Sequence, residues 1–332
     1  MSDYVHDAVP ISSESLARNH HLGVSSATVR NEVAALEEQG YISRPHTSAG
    51  SVPEDRAYRL YVESFVSHRA DRMPSQARET ISNRFADVRD DVDRWSNVAA
   101  TLISQLLGNL GIATFPKTSE SRVMHLELVP IQDVLAMLIV VLEQAKLRKH
   151  ILRFDSPLDR SNLESMSTRL RSHMIGLTHA EIAEQAMSLT TPERLAVDAT
   201  IDMLQEEDST GHDDHHVSGL RNLLDQPEFV DYEKVRPIVH GIEDGSLVEA
   251  ALEEAPMGQV VRVVIGREHE GDVLRPFSVV ICRYGVPGRA LGTLGLMGPT
   301  RMEYDRAISG IQFISTIMDS MAESVYGKGQ NA

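Results

Sequence analysis

The stretch LGVSSATVRNEVAALEEQGYISRPHTSAG, residues 22–50, decides the fold of the N-terminal part of this chain. It predicts a helix that begins at a Ser25 or Ser26 cap and ends at Gly40, because serine favours helix starts and glycine favours helix ends. Residues 41–52 contain proline, serine and glycine, which break helices, so they predict two short strands joined by a turn.

Two further helical segments flank this stretch. Residues 12–20 predict a short helix opened by a serine cap, and Gly23 follows in the turn. Residues 53–68 predict a longer helix, with Ser51 and Glu54 at the spacing of a capping box. Its apolar face is expected to hold Tyr58, Tyr61, Val62 and Phe65. The order helix, turn, helix, hairpin is that of a winged helix-turn-helix.

The central helix has two faces of different chemistry. Val29, Val33 and Leu36 recur at i, i+4 and i+7, so they predict a face that packs inward. The other face holds small or hydrogen-bonding side chains, as a helix entering the major groove of DNA requires. The candidate DNA contacts are Ser25, Ser26, Ala27, Thr28, Arg30 and Asn31 in the helix and Arg44, His46, Thr47 and Ser48 in the hairpin.

Each candidate contact has a chemical role and a simpler alternative. Serine hydroxyls and helix N-terminal N–H groups suit phosphates. Arg30 suits guanine and Asn31 suits adenine, while Ala27 or Thr28 suits a thymine methyl group. The alternative for the helix is an exposed face that contacts protein. The alternative for PHTSAG is turn chemistry, in which serine and threonine bond their own backbone.

The charge of the chain limits the kind of DNA binding. The 332 residues carry a formal net charge of −16, whereas proteins that coat nucleic acid carry excess lysine and arginine. Even residues 1–72 hold seven arginines, no lysine and ten acidic residues. Affinity must then depend on placed groups such as Arg18, Arg30 and Arg44, on helix N-termini and on dimerisation.

Other bulk features predict a cytoplasmic protein that does not enter a membrane. The single cysteine, Cys282, excludes an intrachain disulfide and favours a reducing compartment. The N-terminus lacks a signal pattern. The longest apolar run, residues 134–142, is far shorter than the roughly 20 residues of a membrane-spanning helix.

The remainder of the chain predicts alternating strands and helices. A hinge at residues 73–75 leads into a helical stretch to about Leu110. Strands are expected at 123–129, 134–142, 147–154, 260–265, 277–284 and 291–296, and helical stretches at 156–206, 219–255 and 303–326. Since strands lie on both sides of a helical block, the simplest interpretation is one α+β domain whose sheet is interrupted by a helical insertion.

Two motifs invite other functions, and neither is sustained. GHDDHH, residues 211–216, has metal-ligand side chains without the spacing of a closed zinc site, so a solvated loop is expected. GTLGLMG, residues 292–298, lacks the Lys-Ser/Thr of a phosphate loop, so a glycine-bearing strand and turn is expected. The scattered histidines and Cys282 in an apolar strand form no catalytic set. We expect no enzyme activity, metal or cofactor.

Five segments together resemble those of a known family. They are SSESLARNHHLGVSSATVRNEVAALEEQGYISRPHTSAG (12–50), VPEDRAYRLYV (52–62), NLLDQPEF (222–229), IGRE (265–268) and LGLMGPTRMEYDRAI (294–308). They resemble the HrcA family of bacterial heat-inducible transcription repressors, in the expected order. The similarity spans nearly the whole chain and is weakest through 75–120 and 155–218.

The resemblance implies a domain organisation and partners. It implies a winged helix-turn-helix over 1–73, a GAF-like α+β domain over 74–154 and 229–327, and an inserted helical dimerisation domain over 155–228. It implies a homodimer that represses heat-shock chaperone operons by binding the CIRCE element, an inverted repeat of double-stranded DNA. It also implies that heat releases the repressor from this DNA. It also implies that the chaperonin GroEL keeps the repressor active.

Two departures from the family pattern concern the DNA-binding part. Family members start with a further helix, whereas this chain starts at MSDYVHDAVPI. The further helix is therefore expected to be absent or a stub here, and its loss would remove cover from Leu16 and its neighbours. The family wing carries a basic residue where this chain has Ser51, and Arg44 is the expected substitute. Two alternative functions remain: a regulator whose GAF-like domain responds to a ligand, and a degenerate relative that acts only as a protein-interaction module.

Overall fold

The computed structural model describes residues 2–19, 24–46, 50–67, 73–117, 120–142, 147–185, 189–209 and 215–327. Helices and strands are mixed along the chain, so the predicted α+β class is confirmed. The chain divides into two compact units. The first unit comprises residues 1–116, 214–286 and 291–332, and the second comprises residues 117–213 and 287–290.

The elements are numbered in chain order. The helices are α1 Ser2–Asp7, α2 Ser13–Asn19, α3 Ser26–Glu38, α4 Asp55–Ser67, α5 Ser75–Ala86, α6 Val92–Leu107, α7 Arg160–Met174, α8 His179–Glu184, α9 Thr191–Ser209, α10 Leu220–Leu224, α11 Tyr232–Glu243, α12 Ser246–Glu253 and α13 Tyr304–Tyr326. The strands are β1 Ile42–Ser43, β2 Val52–Pro53, β3 Leu110–Thr114, β4 Val123–Gln132, β5 Leu135–Leu142, β6 Leu147–Arg153, β7 His215–Ser218, β8 Arg262–Ile265, β9 Phe277–Val286 and β10 Ala290–Pro299.

A small antiparallel sheet stands beside α3. Strands β1 and β2 pair with each other, and Ile11 adds a third position by exchanging backbone hydrogen bonds with Ser51 at 3.0 and 2.9 Å. Gly50 permits this approach, because a Cβ there would overlap the backbone of Ile11. The predicted capping role of Ser51 is wrong, since its backbone belongs to this sheet and α4 begins only at Asp55.

Helix α3 has the predicted ends and one error in its buried face. Ser25 is its N-cap, and Gly40 adopts a φ of +73° just after it, the left-handed conformation that glycine tolerates best. Val29 and Val33 are buried, but Leu36 is 41% exposed. Helix α2 packs against α3, and the cover over this face does not extend to Leu36.

The first unit is built on a five-stranded sheet with strand order β7-β3-β10-β9-β8. Strand β9 is buried along most of its length because helices cover both faces of the sheet. Val280 and Cys282 pack in the cluster that includes residues of α4, α6 and α13. Val279 and Ile281 point the other way, towards α11 and α12. Alternation along one strand therefore feeds two cores.

The second unit has a sheet and a core of its own. Strands β4, β5 and β6 form an antiparallel sheet, and the inward side chains of Leu126, Leu138 and Val140 pack with residues of α7 and α9. The predicted single interrupted sheet is wrong, because β4 to β6 do not join β8 to β10. The strands that flank the second unit in sequence are β3 and β7, which pair with Thr114 opposite His215.

The boundaries of the units differ from the domain interpretation in a way that packing explains. The strands of residues 123–153 share a core with the helices of residues 160–209, so both lie in the second unit. Helix α4 contributes buried residues to the core of the first unit. Strand β7 lies at the end of the stretch expected to be a polar loop.

Candidate nucleic-acid interface

The exposed face of α3 carries the predicted contact residues of the helix. Val29 and Val33 are buried on the opposite side. The six candidates Ser25, Ser26, Ala27, Thr28, Arg30 and Asn31 are all exposed. Helical period places Ala27 and Asn31 opposite the two buried valines, with Thr28 and Arg30 on the flanks. Ser25 and Ser26 are exposed at the start of the helix.

The start of α3 is fixed by its own serine and threonine. The Ser25 Oγ accepts a hydrogen bond from the Thr28 backbone N–H at 3.2 Å and lies 3.0 Å from the Thr28 Oγ1. Both hydroxyls thus take part in the N-cap of α3. The positive end of the helix dipole points out of the N-terminus of α3 towards solvent. This arrangement suits an anion such as a DNA phosphate.

The hairpin brings a second basic group close to α3. Arg44 and His46 are exposed, and the Arg44 Nε lies 3.3 Å from the Glu37 Oε2 on α3. A partly exposed pair of this kind contributes about 0–1 kcal/mol, so a phosphate can replace the carboxylate at small cost. Thr47 and Ser48 lie outside the described residues.

Helix α4 holds the C-terminal end of α3 through Arg56. The Arg56 Nη1 donates to the Gln39 carbonyl at 2.7 Å, and its guanidinium lies 5.1 Å from the centroid of the Tyr41 ring. A cation at a helix C-terminus satisfies an orphan carbonyl and complements the helix dipole. Sequence reasoning missed this contact, because it depends on how two helices pack.

The apolar face of α4 is buried in the core of the first unit. Tyr58 and Val62 are buried there, as predicted, and Tyr61 is partly buried; the side chain of Phe65 is outside the described set. The Tyr58 ring packs against Tyr304 with centroids 5.9 Å apart. Burial raises the pKa of both tyrosine hydroxyls, so the two rings stay neutral.

A polar contact beside that core joins α4 to residues 263–268. The Arg59 Nε donates to the Glu268 Oε1 at 2.7 Å, and its Nη2 donates to the Val263 carbonyl at 2.7 Å and to the second oxygen of Glu268. The hydrogen bond to Glu268 raises the pKa of Arg59. The Asp55 Oδ2 also accepts from the Arg267 N–H at 2.9 Å.

A second polar contact holds α1. Arg301 donates from Nη1 to the Val5 carbonyl at 2.9 Å, from Nε to the Glu228 Oε1 at 2.6 Å and from Nη2 to the Gln226 Oε1 at 2.8 Å. Helix α1, which is six residues long, is thus held to the core by a largely buried arginine.

The two polar contacts explain three segments singled out in the sequence. NLLDQPEF supplies Gln226 and Glu228, IGRE supplies Glu268, and LGLMGPTRMEYDRAI supplies Arg301. Glu268 binds Arg59 of α4, and Arg301 binds Val5 of α1. Glu228 and Gln226 accept hydrogen bonds from Arg301 and so help to orient it. Sequence reasoning noted the segments and gave their side chains no role.

A cavity of about 640 Å³ lies between α1, α4, α5, α6 and α13. Its lining is mainly apolar, with ionisable groups from α1 and α13. The lining includes Val5, His6, Tyr61, Leu106, Met302 and Arg306. A smaller adjoining cavity is lined by Asn109, whose buried Oδ1 has no hydrogen-bond partner among the described residues.

The two other motifs differ in outcome: GTLGLMG has the expected strand structure, whereas the described end of GHDDHH is a strand and not the expected loop. Residues 292–298 lie within β10, so GTLGLMG is a strand. His215 and His216 lie in β7, and the rest of GHDDHH falls outside the described residues. In the described part of the chain, no group of three histidine, cysteine or acidic side chains is placed to hold a metal. Burial raises the pKa of Cys282 to about 12, so its thiol is not nucleophilic.

None of the described helices combines the length and the apolar character that crossing a bilayer requires.

Comparison with known proteins identifies the family. Residues 93–308 match the family model described as the HrcA protein C-terminal domain. The chain is 34% identical over 325 residues to the heat-inducible transcription repressor HrcA of Dehalococcoides mccartyi strain 195, covering 98% of this chain and 93% of that protein. The chain belongs to the HrcA family. It is also 35% identical over 337 residues to the HrcA repressor of Roseiflexus castenholzii, covering 98% of this chain and 92% of that protein.

The HrcA relatives are transcription repressors and not enzymes, so the prediction of a non-enzymatic protein is confirmed. A solved structure, described as a hypothetical protein at 2.2 Å resolution, matches with a TM-score of 0.59 and 21% identity. It covers 98% of this chain and 94% of that chain. This likeness shows that the two chains share a fold along nearly their whole length.

Proposed function

We propose that this HrcA-family chain is a dimeric, sequence-specific repressor of heat-shock chaperone operons that binds a CIRCE-type inverted repeat. In this proposal the N-terminal elements form a winged helix-turn-helix, and α3 is the recognition helix. The observation that carries the proposal is the exposed face of α3, which presents Arg30 and Asn31 beside a capped helix start. These groups have the chemistry to read guanine and adenine in a major groove.

The arrangement around α3 supports a winged-helix interpretation. The elements follow one another as α1, Ile11, α2, α3, β1 and β2, which is compatible with the order of a winged helix. The pair β1–β2 is extended by the bridge between Ile11 and Ser51. The sheet carries Arg44 on its β1 side. A wing in this position contacts the DNA backbone while the recognition helix enters the groove. The larger five-stranded sheet with helices on both faces is proposed as the GAF-like domain.

The outer face of the second unit supports dimerisation. Strand β5 buries alternate residues on the helix side and leaves Met137, Ile139 and others partly exposed on the opposite side. Ile139 pairs across the sheet with Glu127 on β4 and with Lys149 on β6. Two copies packed face to face, with a two-fold axis parallel to β5, bring Glu127 of each copy opposite Lys149 of the other. The face is therefore complementary to itself.

Repression follows from the geometry of such a dimer. Two recognition helices enter successive major grooves of the inverted repeat and exclude polymerase, and the dimer sets their separation. Heat then releases the DNA by destabilising a marginally stable protein. The proposed dependence on GroEL rests on family membership, and a pull-down with purified GroEL at normal and raised temperature tests it.

A gel-shift titration tests the DNA proposal. The chain is expected to bind the inverted repeat with nanomolar affinity and at least about 10³-fold more tightly than a scrambled duplex at the same salt. The affinity is expected to fall steeply as salt rises, because each phosphate contact releases counterions. Equal affinity for the two duplexes would refute sequence-specific DNA binding and would favour the alternative that the chain acts only as a protein-interaction module.

A ligand-responsive regulator is the second candidate, and the cavity favours it. A volume of about 640 Å³ lies within the range of small-molecule sites, which are mainly apolar with a few polar groups. A bound effector would touch α1 and α4 as well as α13. A thermal-shift screen of metabolites tests this candidate, since a true effector raises the melting temperature with concentration. A screen without concentration-dependent shifts rejects it.

A further inference from the structure

We propose that Arg59 is a positioning residue that sets the half-site spacing the dimer accepts, by locking the N-terminal elements to the core through Glu268. This inference rests on the proposed function, because spacing has meaning only if two copies of α3 bind one inverted repeat. Arg59 lies on α4 and is not among the candidate DNA contacts. It acts through the helix that carries it.

The first link joins the recognition helix to α4. Arg56 donates to the Gln39 carbonyl at the end of α3 at 2.7 Å. Arg56 and Arg59 are three residues apart, so they lie on neighbouring positions of one helix face. A displacement of α4 is therefore transmitted to α3 through a direct hydrogen bond.

The second link joins α4 to the sheet of the first unit. The Arg59 guanidinium binds both oxygens of Glu268 and the Val263 carbonyl. Glu268 is itself held, because its Oε2 accepts from the Ile265 N–H at 2.9 Å. Val263 and Ile265 belong to β8, which pairs with β9. A bidentate arginine at this place fixes direction as well as distance.

Nearby charge separates this role from DNA binding. Glu63 and Glu268 both act on the Arg59 guanidinium and raise its pKa. A DNA phosphate approaching this arginine would therefore meet two carboxylates. The Arg59 guanidinium is matched to the protein rather than to an anionic ligand.

The consequence for DNA binding concerns two half-sites at once. A dimer with fixed recognition helices binds half-sites at one separation, one helical turn or a multiple apart. If the lock is broken, Tyr58 and Val62 still hold α4 in the core, but the orientation of each α3 varies more, and binding one half-site then favours binding of the second half-site less. Affinity for the full repeat then falls, while affinity for one half-site stays the same.

The experiment compares wild type with Arg59→Gln, Glu268→Gln and the double variant. Arg221→Gln is the control, because Arg221 forms an exposed pair with Asp225 on the same unit. Fluorescence anisotropy measures binding to the full repeat, to one half-site and to repeats with base pairs added or removed between half-sites. Both single variants are expected to lose about five- to tenfold affinity for the full repeat and to keep half-site affinity. Their preference for the natural spacing flattens, the double variant adds little, and Arg59→Lys restores part of the affinity.

A second measurement does not need DNA or a dimer. The chain has one cysteine, and it is buried, so Ala34→Cys on the exposed side of α3 can carry a fluorophore. Time-resolved anisotropy is expected to show an added fast motion in Arg59→Gln and none in Arg221→Gln.

Three results would overturn the inference. They are an equal loss for half-site and full repeat, an unchanged spacing preference, or an unchanged fluorophore motion in Arg59→Gln. A wild-type chain that does not prefer the repeat to a scrambled duplex refutes the proposed function instead. In that case the spacing role falls with it, whatever the fluorophore reports.

Discussion

At the scale of single residues, the candidate interface combines side chains that face outward with others that hold the backbone in place. Arg30 and Asn31 are exposed on α3, whereas Ser25 is engaged in the cap. Gly50 contributes no side chain at all, and its value is the space it leaves for Ile11. Substitutions at these positions therefore have different consequences.

Arg30→Ala and Asn31→Ala are each expected to weaken operator binding by about 1–3 kcal/mol, because each removes a side chain suited to a base edge. Anisotropy at fixed salt measures the loss. Arg221→Ala, which removes an arginine side chain that is 92% exposed, is the matched control and is expected to bind normally. A loss of the same size on a scrambled duplex would argue against base reading.

Gly50→Ala is expected to lower stability by about 1–3 kcal/mol, since a Cβ must displace the Ile11 backbone. Gly258→Ala is the control, because a Cβ there meets nothing within 4 Å. Thermal unfolding followed by circular dichroism measures both. Equal melting temperatures for the two variants would show that the close approach at Ile11 is not tight.

At the scale of elements, the same alternation produces different results in the two sheets. Strand β9 buries both of its faces under helices. Strand β5 buries only every second residue. The partly exposed half of β5 is the face proposed to contact a second copy of the chain.

Ile139→Asp is expected to convert the dimer to a monomer, because it places a charge at the centre of that face. Sedimentation velocity measures the change. Glu127→Lys and Lys149→Glu are each expected to weaken the dimer, and the pair of changes together is expected to restore it. Failure of the combined variant to recover would contradict the two-fold arrangement.

The contact between α13 and β9 predicts a pH dependence. Burial raises the pKa of Asp319 above its usual value of 3.8, and its carboxylate accepts from the Gly285 N–H at 2.7 Å. The Asp319 carboxyl therefore binds its proton more tightly in the folded state than in the unfolded state. Protonation of Asp319 adds to the free energy of unfolding in full below about pH 4, and this addition is lost as pH rises through the folded pKa.

Asp319→Asn is expected to abolish the part of the pH dependence that comes from Asp319, because asparagine does not titrate. The free energy of unfolding of Asp319→Asn relative to wild type should increase from about pH 4 upward and then level off. Urea unfolding at several pH values measures the difference, with Asp225→Asn as an exposed control. A constant difference across this range would show that burial of Asp319 does not shift its titration.

At the scale of the whole molecule, the second unit begins and ends at neighbouring strands. Thr114 at the end of β3 lies opposite His215 at the start of β7. The second unit also has its own core. The two strands can therefore be joined directly.

Replacement of residues 117–213 by an Asn-Gly turn is expected to leave a first unit that folds and binds a half-site. The shortened chain should run as a monomer in sedimentation velocity, because the proposed dimer face is gone. Full-length Ile139→Asp is the control for the loss of dimer alone. A shortened chain without cooperative thermal unfolding would show that the first unit needs the second.

Local chemistry in the sequence predicted much of the fold. The Ser25 cap and the Gly40 end of α3 follow from the residues themselves. The apolar run of residues 134–142 predicted strand β5 but not that only every second residue of β5 is buried. The short strands β3 and β7 were missed because their pairing joins residues about 100 positions apart. The exposure of Leu36 was missed because periodicity assigns a side chain to one face of a helix and does not reveal how far along the helix that face is covered.

The candidate site divides in the same way. The exposed face of α3 was predictable from helical period and side-chain chemistry. Arg56, Arg59 and Arg301 were not, because each acts by meeting a distant partner. An arginine in a sequence carries no sign of whether its partner is a phosphate or a carboxylate.

The strand order of the first unit has a consequence for synthesis on the ribosome. Strand β3 lies between β7 and β10. Strand β10 is translated about 180 residues after β3. The N-terminal elements are synthesised first, whereas Glu268 and Arg301, which bind α4 and α1, are synthesised roughly 200 residues or more after them. Pairings this distant in sequence form slowly. A nascent or truncated chain therefore displays α1 and α4 before the side chains that attach them to the core have been made.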